Sequence, residues 1–102
     1  MARFRTLSLD AYPLQVFDAA LEAAAQMGLE VSTADREAGS LLLSACPGRL
    51  GSRHRFVLSV TDNGLGGSTV HISWDDRFPG LARGFHRRTA AGLCERLQHL
   101  VR

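Results

Sequence analysis

The sequence predicts an α+β fold, a two-layer sandwich with the element order β-α-β-β-β-β-α, in which an antiparallel sheet carries both helices on one face. Three observations predict it. Apolar residues recur at helical spacing in two segments, one near each end of the chain. The segments between them alternate apolar and polar residues, as half-buried strands do. Glycine-containing turns join these strands, so neighbouring strands are expected to pair as antiparallel hairpins.

The first strand and the first helix are predicted within the first 27 residues. Leu7 and Leu9 alternate with polar neighbours, which indicates a strand over residues 3–9. A helix is predicted from about Tyr12 to Met27, because apolar residues recur there every three or four positions. The expected apolar face of this helix consists of Leu14, Phe17, Leu21, Ala24 and Ala25.

Both ends of this helix carry recognisable signals. Asp10 is a candidate N-cap, and Pro13 fits a first helical turn, where its missing N–H costs nothing. Gly28 is placed to adopt the left-handed conformation that ends a helix, with Leu29 folding back onto the last turn. The sequence therefore predicts a sharp stop at Gly28.

A hairpin is predicted directly after that stop. Leu29, Val31 and Thr33 are expected to share one face of its first strand, because side chains alternate along a strand. Residues 35–39 form the turn, with Gly39 in a positive-φ conformation, and a leucine-rich strand follows.

The clearest hairpin lies in the second half of the chain. Its favoured register keeps every large apolar residue on one face and pairs Ser59 with His71 on the other. The apolar pairs are Phe56 with Trp74, Leu58 with Ile72 and Val60 with Val70. A second amphipathic helix is then predicted from about Leu81 to Val101, with a stripe of Ala90, Leu93, Cys94, Leu97, Leu100 and Val101.

Length and composition indicate a packed globular protein. Residues 1–102 are predicted to form a single domain with one core, since 45% of them are hydrophobic and 22% are charged. No signal peptide and no apolar run of about 18 residues is found, so no integral membrane segment is predicted. A cytoplasmic location is expected if Met1 is the native start. Cys46 and Cys94 lack metal or redox spacing and are expected to be reduced thiols.

No cluster of residues has the types and spacing that catalysis, a metal or a cofactor would require. His54, His71, His86 and His99 are predicted on separate elements, and none has an acidic partner at metal-binding spacing. The glycine-rich residues 62–67 lack the ending of a calcium or phosphate loop and fit a hairpin turn. The sequence therefore predicts no enzyme, no metal and no cofactor.

The placement of the arginines is the one feature of the sequence that calls for an explanation beyond the fold. The chain has twelve Arg and no Lys, and residues 49–102 hold nine of them against four acidic residues. Three lie early in the last helix, where the helix dipole disfavours a cation by ~0.3–1 kcal/mol. Pairing with Asp75 and Asp76 is one explanation, and an anionic partner is the other. The candidate anion- or partner-binding residues are Arg49, Arg53, Arg83, Arg87 and Arg88.

Residues 12–20, 27–31 and 35–41 resemble a pattern of small bacterial domains, those of the BamC (NlpB/DapX) lipoproteins and uncharacterised relatives. The resemblance covers roughly the first 45 positions. It implies a non-catalytic interaction domain of an envelope assembly, with no catalytic residue to carry over. Neither the signal peptide nor the lipidation cysteine of those lipoproteins is expected in this chain.

The element order also resembles that of the helix-grip ligand-binding proteins. Those proteins begin with a strand and a helix and end with a long helix against an antiparallel sheet. They are usually longer than this chain, whose four strands between the helices are expected to enclose little space. The resemblance implies a carrier of a small apolar ligand, held between the sheet and the helices.

Three functions follow as expectations. The first is a non-enzymatic protein-interaction or assembly domain, whose partner is another protein or a second copy that pairs along an open sheet edge. The second is a basic domain that binds nucleic acid or another polyanion. An expected lack of aromatic residues on the polar face of the sheet counts against nucleic acid. The third is a small apolar-ligand carrier.

Overall fold

A computed structural model describes residues 2–45, 54–75 and 81–101. It confirms the predicted fold class and the order β-α-β-β-β-β-α. The elements are β1 (Ala2–Leu9), α1 (Pro13–Gln26), β2 (Glu30–Asp35), β3 (Ser40–Ala45), β4 (His54–Asp62), β5 (Ser68–Asp75) and α2 (Leu81–Leu100). Neither helix, as far as the chain is described, is long and apolar enough to cross a membrane.

The five strands form one antiparallel sheet in the order β1-β5-β4-β3-β2. The strand that comes first in the chain therefore pairs with the last one, and β1 and β2 form the two edges. The predicted register of β4 and β5 is confirmed, with Phe56 opposite Trp74 and Ser59 opposite His71. The inner residues of the sheet join the buried residues of both helices in one core, which places the helices on one face.

The buried face of α1 is rotated from the predicted one but overlaps it, since Phe17 and Ala24 are buried as predicted. Val16, Ala20 and Ala23 are fully buried, whereas Leu14 is 57% exposed. The buried face is turned toward the alanines because α1 packs against both the sheet and α2, and small side chains let both approach. On the α2 side of the contact between the two helices, Gly92 leaves little room for a side chain, since a Cβ there would lie 2.9 Å from Cε of Met27.

The two ends of α1 differ in how they agree with prediction. The N-cap is Tyr12, which makes no side-chain cap hydrogen bond, and the predicted cap Asp10 is wrong. Asp10 stands two residues too early to reach the free amides of the first turn, which Pro13 opens. The predicted stop is confirmed: Gly28 has φ +70, and the N–H of Leu29 donates to the carbonyl of Ala24 at 2.9 Å.

A β-bulge overturns the predicted alternation in β2. Val31 pairs with Leu43, but Thr33 pairs with Leu42, so the register shifts at Ser32. One extra residue in a strand moves the next side chain to the opposite face. Thr33 and Val31 therefore face opposite ways, and their predicted common face is wrong.

The outer face of the sheet contains an aromatic residue that was not expected there. Phe4 is 66% exposed and stacks on His71, with ring centroids 5.0 Å apart. Thr6, which pairs with His71, lies on the same face as Phe4. Both face outward because Leu7 and Leu9 face inward and this alternation extends to the start of β1. The expectation of an outer face without aromatic residues is therefore wrong.

Candidate functional site

The candidate site is an open cleft at the end of the sandwich where α1 stops and α2 begins. Its volume is about 410 Å³, toward the lower end of the ~300–1,000 Å³ typical of small-molecule sites. Three elements contribute to it: the C-terminal cap of α1, the end of β3 and the first half of α2. The described lining residues are Met27, Gly28, Leu29, Ala45, Phe85, Arg88 and Thr89.

The cleft exists because the two helices end at different places. Gly28 terminates α1, and the backbone bond from Leu29 to Ala24 turns the chain back toward the core. Helix α2 contacts this cap through Gly92, near its middle. The first half of α2 therefore extends past the end of α1, and the space below it is the cleft.

The wall of the cleft is mainly apolar. Met27, Leu29 and Phe85 are partly buried and pack against the hydrophobic core, while Ala45 leaves room at the end of β3. The polar side chains among the lining residues both belong to α2: buried Thr89 and exposed Arg88. A cleft with apolar walls and a few polar groups is the usual form of a small-molecule site.

Behind Phe85 lies a buried pair of histidines. Nδ1 of His54 and Nε2 of His86 are 2.8 Å apart, and the two residues are 2% and 1% exposed. The Phe85 ring lies 5.6 Å from that of His54 and 6.3 Å from that of Phe56. Phe85 thus lines the cleft and also belongs to an aromatic cluster, which consists of His54, Phe56, Trp74, Phe85 and His86.

Sequence reasoning missed this pair although a signal for each member was present. His54 and His86 do lie on separate elements, as predicted, but the start of β4 and the second turn of α2 meet. His54 continues the inward alternation of Phe56 and Leu58, and His86 stands four residues before buried Ala90. Each was therefore recognisable as inward-facing, but their contact depends on how α2 lies over the sheet.

The structure brings only part of the predicted arginine set to the cleft. Arg87 and Arg88 are exposed on the first half of α2, and Arg88 lines the cleft while Arg87 does not. Arg49 and Arg53 lie outside the described residues, as does Asp76. Arg83 belongs to α2, but its side chain is likewise outside the described part.

Neither metal ligation nor thiol chemistry has a described centre. Over residues 2–45, 54–75 and 81–101, no group of three or more His, Cys, Asp or Glu is arranged to hold a metal. Cys94 is a buried free thiol, as predicted, and Cys46 falls outside the described residues. Burial raises the pKa of Cys94, against the opposing effect of Arg5 nearby, so this thiol is held in its neutral form.

Comparisons with known proteins concern the fold. Neither a protein-family model nor a curated protein sequence matches the chain. Among solved structures, Ara h 8.0201, a Bet v 1-like protein of the helix-grip fold, is similar at a TM-score of 0.58 and 10% identity. The protein TTHA0849 from Thermus thermophilus is similar at a TM-score of 0.52 and 15% identity. Each similarity covers 99% of this chain and 97% of the other.

At such identities the similarity shows the fold alone. It fits the helix-grip resemblance and does not fit the BamC resemblance. The BamC pattern consists of helix ends and turns, such as Gly28 and Gly39, and such features occur wherever a helix is followed by a hairpin.

Proposed function

We propose that this protein is a non-enzymatic carrier that binds a small apolar molecule in the cleft. The observation that supports it most directly is the apolar cleft itself, bounded by Met27, Leu29 and Phe85. The helix-grip resemblance supports it further, since it implies a ligand held between sheet and helix. In this function the ligand is bound and released without chemical change.

The size of the cleft allows binding of useful strength. A ligand that buries ~200 Å² of its own apolar surface gains about 5 kcal/mol, and the cleft walls add to this. Loss of translational and rotational freedom offsets part of that gain. Dissociation constants in the micromolar to submillimolar range are therefore expected.

The test uses N-phenylnaphthylamine, a neutral dye whose fluorescence rises in apolar surroundings. The variant Ala45→Phe places a large ring in the cleft at the end of β3. The matched control Val57→Phe adds the same ring on the exposed outer face of the sheet. Dye binding is expected for the wild type and Val57→Phe and is expected to weaken at least about tenfold for Ala45→Phe.

Two outcomes would overturn the proposal. In the first, the wild type does not bind the dye. In the second, Ala45→Phe binds it as the wild type does while retaining a wild-type circular dichroism spectrum. The intrinsic fluorescence of Trp74, the single tryptophan, reports whether the aromatic cluster next to the cleft is preserved in each variant.

Protein interaction is a second candidate function, and the outer face of the sheet favours it. Phe4 on β1 and Val57 on β4 are both exposed there, in one row across the sheet in which Ser73 of β5 lies between them. Single exposed apolar residues are common, and it is the position of these two on one face that suggests an interface. Light scattering of the wild type and of Phe4→Ser would detect self-association. A monomer at all accessible concentrations would contradict pairing with a second copy.

A further inference from the structure

Arg88 combines two properties that suggest what kind of ligand the cleft takes. Among the described lining residues it alone carries a charge, and it stands on the same wall as Phe85 and Thr89. Its Nη1 atom lies 3.0 Å from the point that a Cβ on Gly84 would occupy. Because Gly84 has no side chain, the side chain of Arg88 can extend along α2 toward the N-terminal end of that helix.

The charge of Arg88 is not neutralised within the described part of the chain. No carboxylate of those residues forms an ion pair with it, in contrast to Arg36, whose Nη1 lies 2.6 Å from Oδ1 of Asp18. The first turn of α2 contains no acidic residue, and Arg87 adds a second positive charge beside Arg88.

We infer that the ligand of the cleft is an amphipathic molecule with an oxyanion head group, a carboxylate or a phosphate, which Arg88 binds. The inference rests on the proposed function. The apolar part of the ligand contacts Met27, Leu29 and Phe85, and the head group lies at the exposed rim. A guanidinium suits this role because its planar set of N–H donors matches the two oxygens of either anion.

The experiment compares three ligands with the same chain and different head groups: decanoate, decyl phosphate and decanol. Each displaces N-phenylnaphthylamine from the wild type, Arg88→Gln and Arg87→Gln. The last is the matched control, because Arg87 is an exposed neighbour on α2 that does not line the cleft. A second variant, Arg88→Lys, keeps the charge and removes the fork of donors.

Arg88→Gln is expected to weaken binding of the anionic ligand roughly five- to tenfold and to change decanol binding less than about twofold. Arg87→Gln is expected to leave all three ligands within about twofold of the wild type. Arg88→Lys is expected to fall between the wild type and Arg88→Gln. Whichever of decanoate and decyl phosphate loses more affinity in Arg88→Gln identifies the head group.

The outcomes separate this inference from the proposed function. If decanol and the anions bind equally well and Arg88→Gln affects none of them, the cleft is a ligand site and the oxyanion inference is wrong. Equal losses for decanol and the anions would also overturn it, since Arg88 would then act through its apolar stem. If the dye and all three ligands fail to bind the wild type, the proposed function itself is wrong.

Discussion

The two ends of the sandwich use their polar groups differently. The turn end contains the β1–α1 junction and the turns at residues 35–40 and 62–68, and the cleft end contains the cap of α1 and the start of α2. At the turn end, Oδ1 of Asn63 accepts hydrogen bonds from the N–H groups of Leu65 and Gly67 at 2.8 and 3.1 Å. The hydroxyl of buried Ser68 donates to the carbonyl of Ala11 at 2.6 Å.

At the cleft end, not every described polar side chain is paired with another residue of the protein. His54 and His86 bond to each other, but Arg88 makes no ion pair with a described residue and lies beside apolar surface. A buried or half-buried polar group costs free energy unless it is hydrogen-bonded, and Asn63 and Ser68 at the turn end are both bonded within the protein. We therefore interpret the turn end as structural. The charge of Arg88, which lies beside the open cleft and forms no ion pair with a described residue, is interpreted as available to a ligand.

The largest expected effect is a loss of stability when Gly39, at the turn end, is replaced. Gly39 has φ +69, and its carbonyl oxygen accepts a hydrogen bond from the N–H of Val60. A Cβ on residue 39 would clash with the carbonyl oxygen of Val60. Gly39→Ala is expected to lower the free energy of unfolding by about 3 kcal/mol or more, through clash and backbone strain. Urea denaturation followed by circular dichroism measures it.

The matched control is Gly64→Ala, where φ is +81 but no atom lies within 4 Å of the added Cβ. Only the conformational cost applies there, and a loss of about 1 kcal/mol is expected. Equal losses for the two variants would show that the approach of Gly39 to Val60 does not matter.

The next effect tests the buried pair at the cleft end. His54→Phe and His86→Phe keep an aromatic ring, somewhat larger than imidazole, and remove the hydrogen bond, so each is expected to cost about 1–3 kcal/mol. Because both lose the same interaction, the double variant should cost less than the sum of the two, by about 1–2 kcal/mol. Additive losses would mean that the two rings do not stabilise each other.

A smaller effect is expected for one hydroxyl of the turn end. Ser68→Ala removes the donor to the Ala11 carbonyl and is expected to cost about 1–2 kcal/mol, because the site is buried. Ser8→Ala, at an exposed position on the neighbouring strand β1, is the control and is expected to be near neutral. Thermal unfolding of both variants checks the difference, and a neutral Ser68→Ala would contradict it.

The smallest effect concerns the ion pair between the β2–β3 turn and α1. A hydrogen bond from Arg36 holds the pKa of Asp18 below its ordinary value. A lowered pKa contributes stability that is present at neutral pH and lost as the pH falls below about 4 and through the folded-state pKa. Both side chains are exposed, so Asp18→Asn should lower the melting temperature only slightly at pH 7.

The same comparison of wild type and Asp18→Asn at strongly acidic pH provides the control. The small difference in melting temperature should disappear there, because Asp18 is then protonated in the wild type. A difference that is independent of pH would assign the effect to packing of Arg36 over the Phe17 ring, 5.7 Å from its centroid.

Local patterns were sufficient for much of the fold. The register of Phe56 with Trp74 and the helix stop at Gly28 were predictable because each depends on residues close in sequence or on a strict two-residue period. The bulge at Ser32 and the turned face of α1 were not, since both depend on what the element packs against. The arginine set of the candidate site included Arg88 but gave no reason to separate it from Arg87.

The amino-acid sequence by itself therefore determined the fold class, the element order and the two turns at Gly28 and Gly39, because hydrophobic period and backbone conformation are local properties. Only the tertiary structure decided that β1 joins β5, that His54 meets His86 and that Arg88 stands over an apolar cleft. These contacts join residues far apart in the chain, and they follow from where α2 lies over the sheet beyond the end of α1.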